Sequence, residues 1–226
     1  MKGAKGMKKS AWRHFTNLLV IIVACNLITA CGMIAIHVIN NSYESLAGTR
    51  KEAKYAGAPF KKIIVIGLTN DVPTRIAFEN AFMGQFIGQG VSAVTGSMNL
   101  PDANALKNKS QVENAIDNGS CDGVVTVEVK NVAAGETSQW LKAWRATPVP
   151  GRDELFAVLA NADKSRPIPS ENIRFEVMLW NGKTTRQVWV GITKEVDKHE
   201  ILREAHTAAH STVRTLTDAG LLKSTL

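Results

Sequence analysis

Cysteine is scarce in this chain: Cys25, Cys31 and Cys121 are all it has. Three thiols spread over 226 residues cannot staple a small disulfide scaffold, so the fold must rest on a packed core. An excess of charge is missing too, although the formal balance of +7 suggests one. Lys2, Lys5, Lys8, Lys9 and Arg13 all precede the first apolar run, with no acidic residue among them. The basic residues that remain nearly match the 20 acidic ones, so no basic stripe exists to neutralise many phosphates, and nucleic-acid binding is excluded as an expectation. There is no G-x-S-x-G, no H-E-x-x-H, no internal repeat and no low-complexity tract. "GQFIGQG" (Gly84, Gly88, Gly90) falls late in a helical pattern and not between a strand and a helix, where a phosphate loop would sit.

What the chain does have begins with its leader. A basic segment through His14 is followed by "LLVIIVACNLITAC", and the basic flank holds the N-terminus in the cytoplasm while the remainder faces outward. "ITAC" (Ile28, Thr29, Ala30, Cys31) resembles the bacterial lipobox: an aliphatic residue and two small ones before a cysteine. Small side chains suit a segment that must lie extended in a protease groove. The resemblance implies cleavage after residue 30, thioether-linked diacylglycerol on Cys31, and a further acyl chain (palmitate or similar) on its amine. Two or more chains make a stable anchor where one would bind marginally. "IVAC", ending at Cys25, is a second match; Cys31 is preferred because its apolar run is longer and Gly32 suits the start of a tether. An uncleaved spanning helix over residues 15–39 is the competing reading. Its length suffices for a bilayer, but Asn17, Asn26 and His37 would be costly there. Both readings put the body of the protein outside the cytoplasm, in a bacterial envelope on the periplasmic face. The lipoprotein reading is preferred, with the outer membrane expected over the inner.

The chain accordingly divides into a signal peptide (1–30), a lipidated cysteine and polar tether (31–58), and one domain (59–226) with an irregular, proline-rich insertion at about 133–170. "KKIIVIGL" reads as a buried strand. "NDVP" then supplies Asp71 as a cap and Pro73 for the first turn of a helix that reaches about Gln89 and stops at Gly90. "VSAVTG" is a second strand. Ser110 and Glu113 have capping-box spacing and open a short helix ending near Gly119. Cys121 reads as a small core residue before the strand "DGVVTVEVKNV". Asn181-Gly182, between two alternating runs, predicts a type I′ hairpin, and an amphipathic helix over about 200–219 closes the domain. The predicted class is α/β: a two-layer sandwich, a mixed sheet with a C-terminal hairpin and helices on one face.

This order of elements, with "KKIIVIGL", "RIAFENAF", "CDGVVTVEV" and "RQVWVG", resembles the N-terminal domain of TolB and the related CsgG and LpoB lipoprotein domains of bacterial envelopes, over about residues 61–222. The resemblance implies an architecture and a compartment, and domains that bind other envelope proteins. It brings no catalytic site.

Four groups of residues are candidates for chemistry. His199, His206 and His210 fall within about 40° on a helix of 100° per residue, and would serve a metal-dependent hydrolase. Arg203, however, stands where H-E-x-x-H needs its second histidine, so no metal, cofactor or catalytic residue is expected. Arg75 and Glu79 lie inside the apolar arc of the first helix, as a structural ion pair or, less expectedly, a ligand-binding pair beyond a strand end. "SCDG" shows no histidine partner for Cys121. Finally, a two-residue loop would pair Trp180 with Lys183 and Trp189 with Arg174, placing Trp180, Met178, Trp189 and Arg174 on an open sheet face. That face predicts a partner-binding surface: Trp189 covered by Trp140 or Trp144 of the insertion, and the tip around Trp180 left to another envelope protein.

Overall fold

The computed structural model describes residues 45–52, 55–132, 138–146, 154–162 and 171–223, with backbone alone for 138–140. Cys25, Cys31 and the rest of the leader, and much of the insertion, lie outside the described residues. None of the described helices is long and apolar enough to cross a membrane.

Strands β1 (Leu46–Lys51) and β2 (Lys62–Leu68) precede helix α1 (Val72–Gly88) and strand β3 (Ser92–Thr95). Short helices α2 (Ala103–Lys107) and α3 (Lys109–Asn118) lead to β4 (Gly123–Asn131). Then come α4 (Ser138–Ala146), α5 (Glu154–Ala160), β5 (Asn172–Asn181), β6 (Gln187–Thr193), β7 (Val196–Asp197) and α6 (Ile201–Asp218). The sheet order is β1-β6-β5-β4-β2-β3, with β7 paired to β5. β2 is parallel to β3 and β4, while β5, β6 and β1 continue antiparallel, so the α/β class and the mixed sheet stand.

Local chemistry starts and stops these elements. The Asp71 carboxylate accepts from the Thr74 amide at 2.9 Å, with Pro73 in the first turn of α1, as the sequence predicts. Gly90 takes φ = 75°, a left-handed conformation that suits glycine after a helix end, and the Val91 amide returns to the Phe86 carbonyl. The cap of α3 is Asn108, whose side chain accepts from the Gln111 amide, and not the Ser110 and Glu113 box.

The helices occupy both faces of the sheet, where the sequence placed them on one. The two long ones share the expected face: Phe78, Phe82 and Phe86 of α1 and Ala205, Ala209 and Val213 of α6 pack on Ile63, Val65, Val125 and Val127. Leu106, Val112, Ile116, Leu155 and Leu159 of α2, α3 and α5 cover Ile64, Ile66 and Val124 on the other. Connection handedness explains this. The β2–α1–β3 crossover runs to one side of β2 and the β3–α2–α3–β4 crossover runs back past it; two right-handed crossovers of opposite direction must use opposite faces.

Two further expectations need correction. Residues 46–51, read as tether, form edge strand β1 on β6, with a register shift between Leu46 and Gly48. The hairpin loop is longer than two residues. The Asn181 amide donates to the Arg186 carbonyl, the Asn181 side chain accepts from Lys183 and Thr184, and Thr185 takes φ = 54°. Trp180 therefore pairs with Gln187 and Leu179 with Trp189, and a bulge absorbs Val188. The bulge puts both Val188 and Trp189 into the α1/α6 core, while Val190 joins Met178 and Trp180 on the opposite side.

Candidate functional site

Beyond Val127, strand β4 passes from full burial to half-buried and then exposed residues, and the sheet face opposite α1 becomes polar. Glu128 of β4 stands opposite Glu176 of β5, and Lys130 opposite Arg174. Two like-charge pairs in register would repel. They are resolved diagonally: Lys130 Nζ lies 2.6 Å from Glu128 Oε1 and 3.6 Å from Glu176 Oε2, and Arg174 Nη2 donates to Glu195 Oε1 at 2.5 Å.

Helix α4 roofs the far end of this row. Gly48 of β1 allows the close approach, since a Cβ there would meet Arg145, Leu141 and Trp144 within 3.1–3.3 Å. Trp144 Nε1 donates to Glu176 Oε1 at 3.3 Å, the Arg50 guanidinium stands 4.2 Å over the Trp144 ring, and Arg145 donates to the Ala47 carbonyl at 2.6 Å. Burial lowers the Arg50 pKa from its ordinary value, and Glu176 opposes that shift.

Next to the row opens a pocket of about 300 Å³, lined by Leu68, Glu128, Lys130, Glu154, Val158 and Asn161 among others. It sits at the carboxyl end of β2 and over the C-terminal half of β4, the adjacent strands whose connections run to opposite faces, which is where open α/β sheets gather ligands. Its polar lining offers an ammonium, carboxylates and an amide. Such groups bind a polar ligand by charge and hydrogen bonds; none of them is a hydroxyl, thiol or imidazole nucleophile.

Arg75 and Glu79 form a fully enclosed pair, 2% and 0% exposed, with Arg75 Nε 2.8 Å from Glu79 Oε1. Glu79 also accepts the Gly67 amide at 3.0 Å and the Ser97 amide at 2.7 Å. One carboxylate thus ties α1 to the end of β2 and to the turn Gly96–Met98 after β3. A carboxylate consumed by three donors inside the fold is a structural clamp, and the ligand-pair reading is set aside.

The four residues assigned to a partner surface are all buried: Trp180 and Trp189 almost completely, Met178 and Arg174 below a tenth exposed. Short helices cover the Met178/Trp180 side, and the bulge turns Trp189 to the other face, opposite Leu179 and not Arg174. Trp144 covers Glu176 rather than Trp189, and the Trp140 side chain lies outside the described residues. The histidines have separate surroundings. His199, in the turn Lys198–Glu200, is 3.4 Å from Glu171; His206 is exposed; His210 Nδ1 reaches Gln85 Oε1 on α1 at 3.3 Å. Among the described residues no three His, Cys, Asp or Glu side chains gather as metal ligands. Cys121 is buried just ahead of β4, and burial raises its thiol pKa, Lys62 opposing and Asp122 adding.

The sequence pointed to the Arg75–Glu79 pair, because both fall inside an apolar helical arc. It missed the row built by Glu128, Lys130, Glu176, Arg50 and Trp144. No local signal in the sequence joins three strands and a helix far apart in the chain.

No family model and no curated protein matches this chain. Solved structures that resemble it include a single-substitution variant of the PelC dodecamer from Paraburkholderia phytofirmans, at 11% identity and a TM-score of 0.41, covering 78% of this chain and 100% of that one. A second structure of the PelC dodecamer from the same organism aligns at 11% identity and a TM-score of 0.39, covering 79% of this chain and 100% of that one.

Proposed function

We propose that this chain is an exported lipoprotein of a bacterial cell envelope, anchored through Cys31, whose α/β domain binds another envelope component and carries out no catalysis. The observation that carries this reading is the leader: a basic flank, an apolar run and "ITAC", directly ahead of a packed domain that begins at Ser45. Charge pairing within the domain supports binding over catalysis. Glu128 and Glu176 share Lys130, Glu195 takes Arg174, and Glu79 takes Arg75, so these carboxylates are neutralised as partners and not held back as acids or bases. With the Met178/Trp180 side covered, the binding surface is reassigned to the polar row on β4 and β5, where Trp144 bonds Glu176, and to the adjoining pocket at the end of β2.

Mass spectrometry of protein extracted from membranes tests the anchor. Loss of residues 1–30 with an acyl increment on Cys31 is the expected result. An intact Met1 would overturn it in favour of the uncleaved inner-membrane helix. Cys31→Ser should block maturation and Cys25→Ser should not. Elemental analysis of the purified chain separates the binding module from a metal-dependent hydrolase: bound zinc lost on His206→Ala and on His210→Ala would favour the enzyme. Crosslinking in intact envelopes, followed by pull-down, identifies the partner.

A further inference from the structure

The sheet ends at β3, and the sequence around that edge is unusual for this chain. Residues 80–101 contain no Asp, Glu, Lys, Arg or His, although 21% of the whole chain is charged. This run spans the second half of α1, all of β3 and the turn Gly96–Met98. The first half of α1 adds no surface charge, because its only two charged residues, Arg75 and Glu79, are enclosed as a pair. One 17-residue helix therefore presents an outward side without a single charged group. An ordinary surface helix turns charged residues to solvent on that side.

Apolar side chains occupy the same region. Val72, Ile76 and Ile87 of α1 are 45%, 40% and 55% exposed, and Met98 in the turn after β3 is 77% exposed. At 100° per residue the three α1 side chains lie within about 60° of one another, so they form one stripe. Beside it, Gly84 is exposed, and a Cβ there would meet nothing within 4 Å. No packing among the described residues asks for glycine at a helix-interior position that costs about 1 kcal/mol relative to alanine.

β3 itself pairs only with β2 among the described residues, which leaves its outer backbone edge open. Open edges are normally blunted by shortness, lysine, proline, a bulge or an inward charge. At four residues "SAVT" is short, but it carries no lysine, proline, bulge or inward charge. An uncharged edge beside an apolar helix stripe is a template for adding a strand.

We propose that this edge is a self-association surface: two copies of the chain meet about a two-fold axis, β3 antiparallel to β3 of the second copy, with the two α1 helices packed over the junction. This goes beyond binding to another envelope component. A second copy is the occupant that the charge pattern fits. A two-fold interface sets each group against a copy of its own surroundings, so a charge near the axis would face its like, and this surface carries none. Exposed Gly84 lets the paired helices approach closely. A helix face roughly 25 Å long together with a strand edge buries on the order of 1,000 Å² in total, the lower limit for a specific interface, so the association is concentration-dependent.

Sedimentation equilibrium of the full chain in density-matched detergent tests the proposal, alongside Gly84→Arg and Ile87→Glu. Both substitutions fall at exposed positions, and thermal melts confirm folding. The expected result is reversible association of the native chain, weakened about tenfold or more in both variants, since each places an uncompensated charge in a closing apolar surface. A native chain that stays monomeric up to high micromolar concentration would overturn the proposal. So would association unchanged in both variants, which would assign it to another surface or to the leader.

Discussion

Trp180 donates its indole N–H to the hydroxyl oxygen of Thr126 at 3.0 Å, and both residues are completely buried. Val124 is the direct cross-strand partner of Trp180, so Thr126 is its diagonal neighbour between β5 and β4, within reach of an indole. With both side chains enclosed, the indole N–H has no route to solvent. Thr126→Val keeps the shape and strands that donor, which should cost about 1–3 kcal/mol. Trp180→Ala should cost about 3–5 kcal/mol. Urea denaturation of the two variants measures both. A Trp180→Ala protein of unchanged stability would mean that Trp180 stands open to solvent or a partner, as the hairpin read from sequence alone requires.

That hairpin shows where sequence reasoning stopped working. β2, β4, β5, β6, α1, α3 and α6 were legible because their apolar periods are clean and their stops are chemical: Asp71 capping α1, Gly90 after it, Gly119 closing α3. The hairpin register was not. Asn181-Gly182 meets the two-residue rule, but the Asn181 side chain accepts from Lys183 and Thr184 and stabilises a longer turn. The bulge at Val188 then shifts Trp189 to the opposite face, and nothing in an alternating pattern announces a bulge. β1 was missed for a different reason. "LAGTRK" has no alternation, and its place at the edge comes from backbone pairing with β6 and from the room Gly48 gives α4.

The Arg75–Glu79 clamp is a pairwise prediction. Glu79→Gln leaves the Arg75 guanidinium enclosed without its counter-charge, and Arg75 Nη2 already has no hydrogen-bond partner among the described residues. Removing one partner of a buried pair costs about 3–5 kcal/mol. Arg75→Met should cost a similar amount. The double variant should lose less than the two single losses together by about 1–3 kcal/mol, since neither charge is then left alone. A double-mutant cycle by urea denaturation reads this coupling, and strict additivity would show the two side chains to be independent.

Cys121 makes stability depend on alkaline pH. Burial is the main cause raising its pKa, with Lys62 opposing and Asp122 adding. The folded chain then holds the thiol proton after the unfolded chain has released it. The folded state therefore loses stability as pH rises from about 8.5, the unperturbed thiol value, through the higher folded value. Cys121→Ala should flatten that part of the pH profile, followed by melting temperature from pH 7 to 10. In a Cys25→Ser/Cys31→Ser background, thiol reagents should label the native chain far more slowly than the urea-unfolded chain. Equal rates would place Cys121 at the surface.

Lys130 holds the polar row together, and its removal gives a salt-dependent signature. Glu128 and Glu176 face each other directly across β4 and β5, and the Lys130 ammonium lies within 4 Å of both. Lys130→Met keeps the aliphatic stem but leaves two carboxylates opposed on adjacent strands. All three side chains are partly solvated, at 42% exposed for Lys130, 28% for Glu128 and 18% for Glu176, so screening limits the loss to about 0.5–1 kcal/mol at pH 7. The repulsion is electrostatic, so the deficit should grow at low ionic strength and shrink in high salt. Adding Glu128→Gln to Lys130→Met removes the opposition and should restore most of the lost stability at pH 7. Denaturation of the single and double variants at low and at high salt checks both statements. A Lys130→Met deficit equal at the two salt concentrations would assign the effect to lost packing of the lysine stem, and would remove charge compensation as the reason these like charges can face each other in the sheet.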